Sequence, residues 1–214
     1  MNPKRFRRIR RVLGRRQPDQ TVLMERVNKT HNFSAILRNC DAVGVLRAHA
    51  VLPEKGIDLH NHVSGGTTRW IQVQSHATIG AAVDELHRGG FRILAAHPDD
   101  AATDYREVDF TRPLALMVGA ELDGLSEEGL ALADETVTIP MAGMARSLNV
   151  SVATALLLFV ASRQRDMAGL YRNTRLSDGE YRRLLFEWSY PEIAEVPRKR
   201  GESYPPLTDE GEIL

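Results

Sequence analysis

An α/β fold, with a mostly parallel sheet covered by helices on both faces, is predicted by two observations. Short apolar runs alternate with helically spaced stretches along most of the chain, and small and polar residues cluster where the runs end and the helical stretches begin. Strands that alternate with helices must cross over to pair in parallel, which buries both faces of the sheet. The runs fall at residues 22–27, 48–52, 70–73, 91–96, 114–118 and 137–139. Helical spacing fills residues 32–43, closed by Gly44, then 79–88 and 126–133.

Helical segments are also expected at both ends. Residues 3–16 place Phe6, Ile9 and Leu13 on one narrow stripe, and the rest of that segment is basic. Residues 148–161 are apolar around nearly the whole circumference, so such a helix needs cover on more than one side. Its own sheet supplies one side. The other is either a second subunit or, for a central helix of a monomer, more of the same chain. Ser177 is placed to cap a last helix containing residues 181–188, and the proline-rich, charged stretch from Pro191 reads as a tail. The expected organisation is a basic helical arm at 1–17, an α/β domain at 18–170 and a helical extension with tail at 171–214.

At 214 residues the chain is long enough for one substantial core with extensions. Cys40 is the only cysteine, which excludes a disulfide framework and a cysteine metal cage and suits a cytoplasmic location. No metal site is expected: the closest histidine pair, His60 and His62, has only Asp58 beside it. No apolar run is long enough to span a bilayer, so no membrane partner is expected of the body of the chain. Equal numbers of acidic and basic residues hide an asymmetry. Lys4, Arg5, Arg7, Arg8, Arg10, Arg11, Arg15 and Arg16 stand among the first sixteen residues without one acid. Such an arm repels itself unless an anion is near, which points to RNA ahead of a membrane surface. An arginine-rich start also resembles a transit peptide, but patterned sequence resumes at Thr21 with no linker for processing, so retention is expected.

Three segments at run-to-helix junctions, 28–38, 118–128 and 139–151, are candidates for chemistry, because ligands of α/β proteins sit at the carboxyl ends of strands. In the first, Asn32 opens a helix and Arg38 lies nearly two turns further on; alone, a capping Asn and a helical Arg are ordinary structural residues. In the second, Gly119 and Gly124 permit a tight loop and close approach of a ligand. The third puts Gly143 in a turn and Ser147 and Asn149 just before the long apolar helix. Neither a GxGxxG fingerprint nor a P-loop is present. Residue patterns alone thus lead to an α/β ligand-binding domain with a basic arm.

In this order the three segments resemble the three motifs of the SpoU/TrmH group of SPOUT methyltransferases. The likeness spans residues 15–171, includes residues 41–45 and Ser64-Gly65-Gly66, and is most diagnostic at residues 147–153. It implies a deep trefoil knot in the C-terminal half, a homodimer, and S-adenosylmethionine as cofactor, with S-adenosylhomocysteine as product. Asn32, Arg38, Glu121, Ser147 and Asn149 match the family's catalytic positions. Ala96, Gly119, Ile139, Met141 and Leu148 match positions lining the cofactor pocket. The arm and the C-terminal extension resemble the group's tRNA enzymes, which methylate the ribose 2′-hydroxyl of guanosine 18 in the D-loop. RNA contacts are accordingly expected at Arg5, Arg8, Arg11, Arg15, Arg16, His31, Arg163 and Arg165. The alternatives are a ribosomal RNA 2′-O-methyltransferase of the same group and a non-catalytic RNA-binding relative. The sequence departs from the usual pattern at three places: Leu122-Asp123 replaces a Lys-led pair, Arg146 stands where Gln is frequent, and Asn39 where Thr is frequent.

Overall fold

The computed structural model describes residues 1–52 and 69–214; Asp58, His60, His62 and Ser64-Gly65-Gly66 lie outside the described residues. The chain divides into two compact units, residues 18–169 and a discontinuous unit of residues 1–17 with 170–214.

The larger unit is built on a seven-stranded sheet. Its strands are β1 (Gln20–Glu25), β2 (Arg47–Val51), β3 (Gln72–His76), β4 (Arg92–Ala96), β5 (Thr103–Asp104), β6 (Leu114–Val118) and β7 (Glu135–Thr138). The order is β3-β2-β1-β6-β4-β7-β5, with every pairing parallel. Among the described residues four helices accompany it: α2 (Thr30–Ala42), α3 (Ile79–Arg88), α4 (Glu127–Leu132) and α5 (Val150–Met167). Alternate side chains of the central strands enter separate cores. Val22, Met24, Leu114 and Leu116 pack with residues of α2 and α5 on one face, and Leu23, Ala115 and Met117 pack with α3 on the other. Helices on both faces are what the alternation of runs predicts.

Three departures have physical causes. The expected strand at 70–73 lies at 72–76, because its polar sequence at the edge of the sheet carries no apolar run. The long helix continues beyond residue 161 because its polar end finds buried partners. Gln164 accepts from Phe110 N and donates to Val108 O, both at 2.9 Å. Arg165 donates to Phe110 O at 3.1 Å and pairs with Asp19. The two-residue β5 is too short to leave a pattern.

In the smaller unit, α1 (Pro3–Leu13) packs against α6 (Asp178–Ser189). Asn2 caps α1 through Lys4 N, Pro3 stands where no amide partner is needed, and the predicted stripe Phe6, Ile9 and Leu13 is buried. Each such side chain contributes about 1.5–3 kcal/mol. Ser177 caps α6 as expected. The predicted tail is corrected: residues from Pro191 form α7 (Pro191–Arg200), begun by a proline at its first turn and ended by Gly201 in the left-handed region. Beyond it Tyr204 stacks on Phe186. The separation of arm from extension is corrected as well, since residues 1–17 and 170–214 are one unit with a shared core. Gly211 lies so close to Phe6 that an added Cβ would come within 2.5 Å of the ring.

Candidate active site

At the carboxyl edge of the sheet, the segments after β4, β6 and β7 and the start of α5 enclose a cleft of about 530 Å³. That volume is in the range of small-molecule and cofactor sites. Ala96, Gly119, Ile139, Met141 and Leu148 all line it, and so do Glu121, Ser147 and Asn149. Apolar walls with a few convergent polar groups suit a ligand that is itself part apolar and part polar, as an adenosyl amino acid is.

The loop after β6 owes its shape to two glycines. Ala120 and Gly124 exchange backbone hydrogen bonds at 3.0 Å each way, closing residues 121–123 into a tight loop. Gly124 has φ 69°, and a Cβ on Gly119 would fall 2.1 Å from the Gly124 carbonyl carbon. Glu121 is thereby held over the cleft. Asn32 Nδ2 donates to Glu121 Oε1 at 2.5 Å, and Asn149 Nδ2 donates to Asn32 Oδ1 at 3.2 Å. Asn149 Oδ1 accepts from Ser151 N and Oγ, capping α5. One line of hydrogen bonds thus joins the three candidate segments. Asn32 does not cap α2, whose N-cap is Lys29 with no side-chain bond; it is buried, and its amide serves the site instead. Asn39 donates to Ser151 O at 3.0 Å, tying α2 to the start of α5.

Arg38 is exposed on α2 and does not line the cleft. Arg5, Arg8, Arg11, Arg15, His31 and Arg163 are also exposed. Arg16 and Arg165, expected on an RNA face, are instead fully buried, each 0% exposed. Arg16 lies over the Trp188 ring, and Arg165 is held by Asp19 and the Phe110 carbonyl. A guanidinium so enclosed packs the fold and is withdrawn from solvent. Sequence reasoning passed over Lys29 and His97 and noted Asp123 and Arg146 only as departures from the family pattern; all four line the cleft. All but His97 fall inside the three segments, so their position was signalled though their part was not. Among the described residues no helix is long and apolar enough to cross a membrane, and no group of three His, Cys, Asp or Glu is placed to hold a metal.

A parallel sheet with a half-apolar cleft at its carboxyl edge, spanned by a carboxylate and two amides, is the arrangement of an α/β enzyme that works on or with a small bound molecule. The profile of the SpoU rRNA Methylase family matches residues 19–159, and that of the SpoU rRNA methylase C-terminal region matches residues 163–214. The chain belongs to the SpoU methylase family. It is 50% identical over 215 residues to the tRNA (guanosine(18)-2′-O)-methyltransferase of Escherichia coli K12, spanning 100% of this chain and 94% of that one. The crystal structure of the Aquifex aeolicus TrmH/SpoU tRNA modifying enzyme is similar with a TM-score of 0.81 and 40% identity, covering 89% of this chain and 97% of that one. The SpoU methyltransferase AviRb of Streptomyces viridochromogenes, solved with the cofactor AdoMet, gives a TM-score of 0.62 and 28% identity, over 72% of this chain and 59% of that one.

Proposed function

We propose that this chain transfers the methyl group of S-adenosylmethionine to the ribose 2′-hydroxyl of guanosine 18 in tRNA. The observation that carries the reading is the extent of the likeness to a tRNA (guanosine(18)-2′-O)-methyltransferase, which includes the basic arm and the C-terminal segments as well as the cleft. S-adenosylmethionine supplies an electrophilic methyl group when bound. Gly119, Ile139, Met141 and Leu148 would hold it by backbone and apolar contact, with Ala96 at the neighbouring strand end.

The chain's own residues have to position the ribose oxygen and favour its alkoxide character. Arg38 is assigned that electrostatic role: a guanidinium stays protonated, so it stabilises developing negative charge, and an RNA phosphate accepts the proton. Asn32, Ser147 and Asn149 orient the reacting groups, and Glu121 fixes the loop above the cofactor. Exposed arginines of α1, with Arg15, His31 and Arg163, form the RNA-contacting set. The homodimer and the trefoil knot belong to the same reading. A second copy has a place to dock, since α5 exposes Val152, Leu156 and Phe159 at 47%, 39% and 55%, spaced on one helical face.

Labelled S-adenosylmethionine offered with tRNA and with ribosomal RNA in separate reactions tests the substrate. A 2′-O-methyl group removes the nucleophile that cleaves the adjacent phosphodiester, so alkaline hydrolysis of labelled tRNA yields a resistant dinucleotide containing guanosine. Label on a mononucleotide means base methylation, and label confined to ribosomal RNA replaces the tRNA reading with the ribosomal one.

A further inference from the structure

Glu25 ends β1, is 3% exposed, and has no part in the network above. Its carboxylate faces a residue 101 positions away. Oε2 accepts from Ser126 N at 2.9 Å and Oε1 accepts from Ser126 Oγ at 2.6 Å. The Ser126 hydroxyl oxygen accepts in turn from Gly129 N at 2.9 Å, capping α4. Gly129 has no side chain to spare: a Cβ there would lie 2.8 Å from Glu25 Oε2. Arg26, next along the chain, is the one non-glycine among the described residues with positive φ, at 51°. Its amide is held by Val51 O at 2.9 Å and its guanidinium lies 3.5 Å from Glu25 Oε1. A strained turn kept by such restraints marks a place where geometry is being enforced.

What is enforced is visible in the order of residues. Val118, at the end of β6, is paired with Met24 of β1, and the Gly119–Gly124 loop leaves from there and arrives at Ser126. Both ends of the loop are therefore referred to β1, one by strand pairing and the other by the Glu25 carboxylate. The same strand leads through Arg26 into α2, which carries Asn32, the partner of Glu121. We propose that Glu25 is a positioning residue for the reaction, a buried clamp that fixes the cofactor loop and Glu121 against the segment bearing Asn32. This rests on the methyltransferase reading of the cleft.

Glu25→Gln is nearly isosteric and leaves the packing, but removes the buried charge, so the bond from Ser126 N becomes a neutral one and the bond with the Ser126 hydroxyl survives only with its direction reversed. A clamp on the loop predicts that S-adenosylhomocysteine, titrated calorimetrically into the full-length variant, binds about tenfold more weakly, the scale of a lost charge-assisted buried hydrogen bond. Affinity for tRNA stays within about twofold of the wild-type value, since the clamp touches only the cofactor side. A purely structural Glu25 would lower the melting temperature while leaving cofactor affinity of the folded protein untouched, and that result overturns the proposal. Ser126→Ala keeps the backbone amide bond and should weaken binding by a smaller factor; with both changes together the losses should not add. Should Glu25→Gln not fold, Ser126→Ala decides alone, and unchanged binding by it counts against the clamp. Wild-type protein that binds S-adenosylhomocysteine yet labels no RNA defeats the functional reading while the comparison of cofactor affinities still stands.

Discussion

Asn149 Nδ2 donates to Asn32 Oδ1 at 3.2 Å while Asn149 Oδ1 caps α5 through Ser151, so one amide serves the site and the helix at once. The two duties separate by substitution. Asn149→Asp keeps the capping acceptor and places a negative charge at a helix N-terminus, where it is favoured. It removes the donor to Asn32. The melting temperature should stay within about 2–4 °C, the equivalent of roughly 1 kcal/mol at this size. Methyl transfer should fall by about tenfold or more. Asn149→Ala loses the cap too and should cost about 1 kcal/mol in addition. Full activity in the Asp variant would disconnect the pair from catalysis.

Arg38→Lys should bind S-adenosylhomocysteine as the wild type does, because Arg38 does not line the cleft. A compact ammonium cannot reproduce the planar fork that contacts two oxygens. Single-turnover transfer should drop by about a hundredfold, the usual loss when one preorganised donor is removed from a developing oxyanion. Near-normal turnover would withdraw the role given to Arg38.

Deleting the arm would be a poor test of RNA binding, since Phe6, Ile9 and Leu13 belong to the core of the smaller unit. Replacing the exposed Arg5, Arg8 and Arg11 with Gln spares that core. The slope of log affinity for tRNA against log salt should become shallower by roughly 0.7–0.9 for each phosphate that is no longer neutralised. Binding measured at several salt concentrations decides it, and an unaltered slope would mean that these arginines meet no phosphate.

His49 and His76 lie side by side on β2 and β3, with Nδ1 and Nε2 2.8 Å apart. Burial, then the neighbouring His76, pulls His49 from 6.5 down to about 4; Arg47 acts in the same sense and Glu85 opposes it. The unfolded chain therefore takes up this proton more readily than the folded one. Stability from this group is fully present above about pH 6.5 and is lost as pH falls through the window down to about 4. Urea midpoints across that window should decline in the wild type and decline less in His49→Gln. Parallel profiles would assign the acid sensitivity elsewhere.

Much of this was legible along the chain, and what was hidden has a common cause. The stripe Phe6, Ile9, Leu13 could be read because helical spacing is local, and the helices on both faces because alternation of elements is local too. The cleft residues were legible through the three segments at strand ends. Arg16 and Arg165 look like any other exposed arginine until Trp188 and Asp19 are brought to them by the fold. Glu25 is a single acid ending a strand, and its partner is 101 residues away. Helix α7 was hidden because proline and charge are equally common in tails, and only its first and last turns tell it apart.

The core that holds α1 has a history in time. Residues 3–13 are synthesised on the order of ten seconds before residue 170 appears, at about 5–20 residues per second. An eleven-residue helix is marginal in water without a packed face. Residues 18–169 are contiguous and can assemble in the interval, while the arm waits for α6 and for Gly211 to close over Phe6. The cationic surface is thus made before the sheet of residues 18–169 and set after it. A chain cut short before α6 would keep every arginine of the arm and yet present none of them in order, so synthesis through the segments that cover Phe6 licenses the surface.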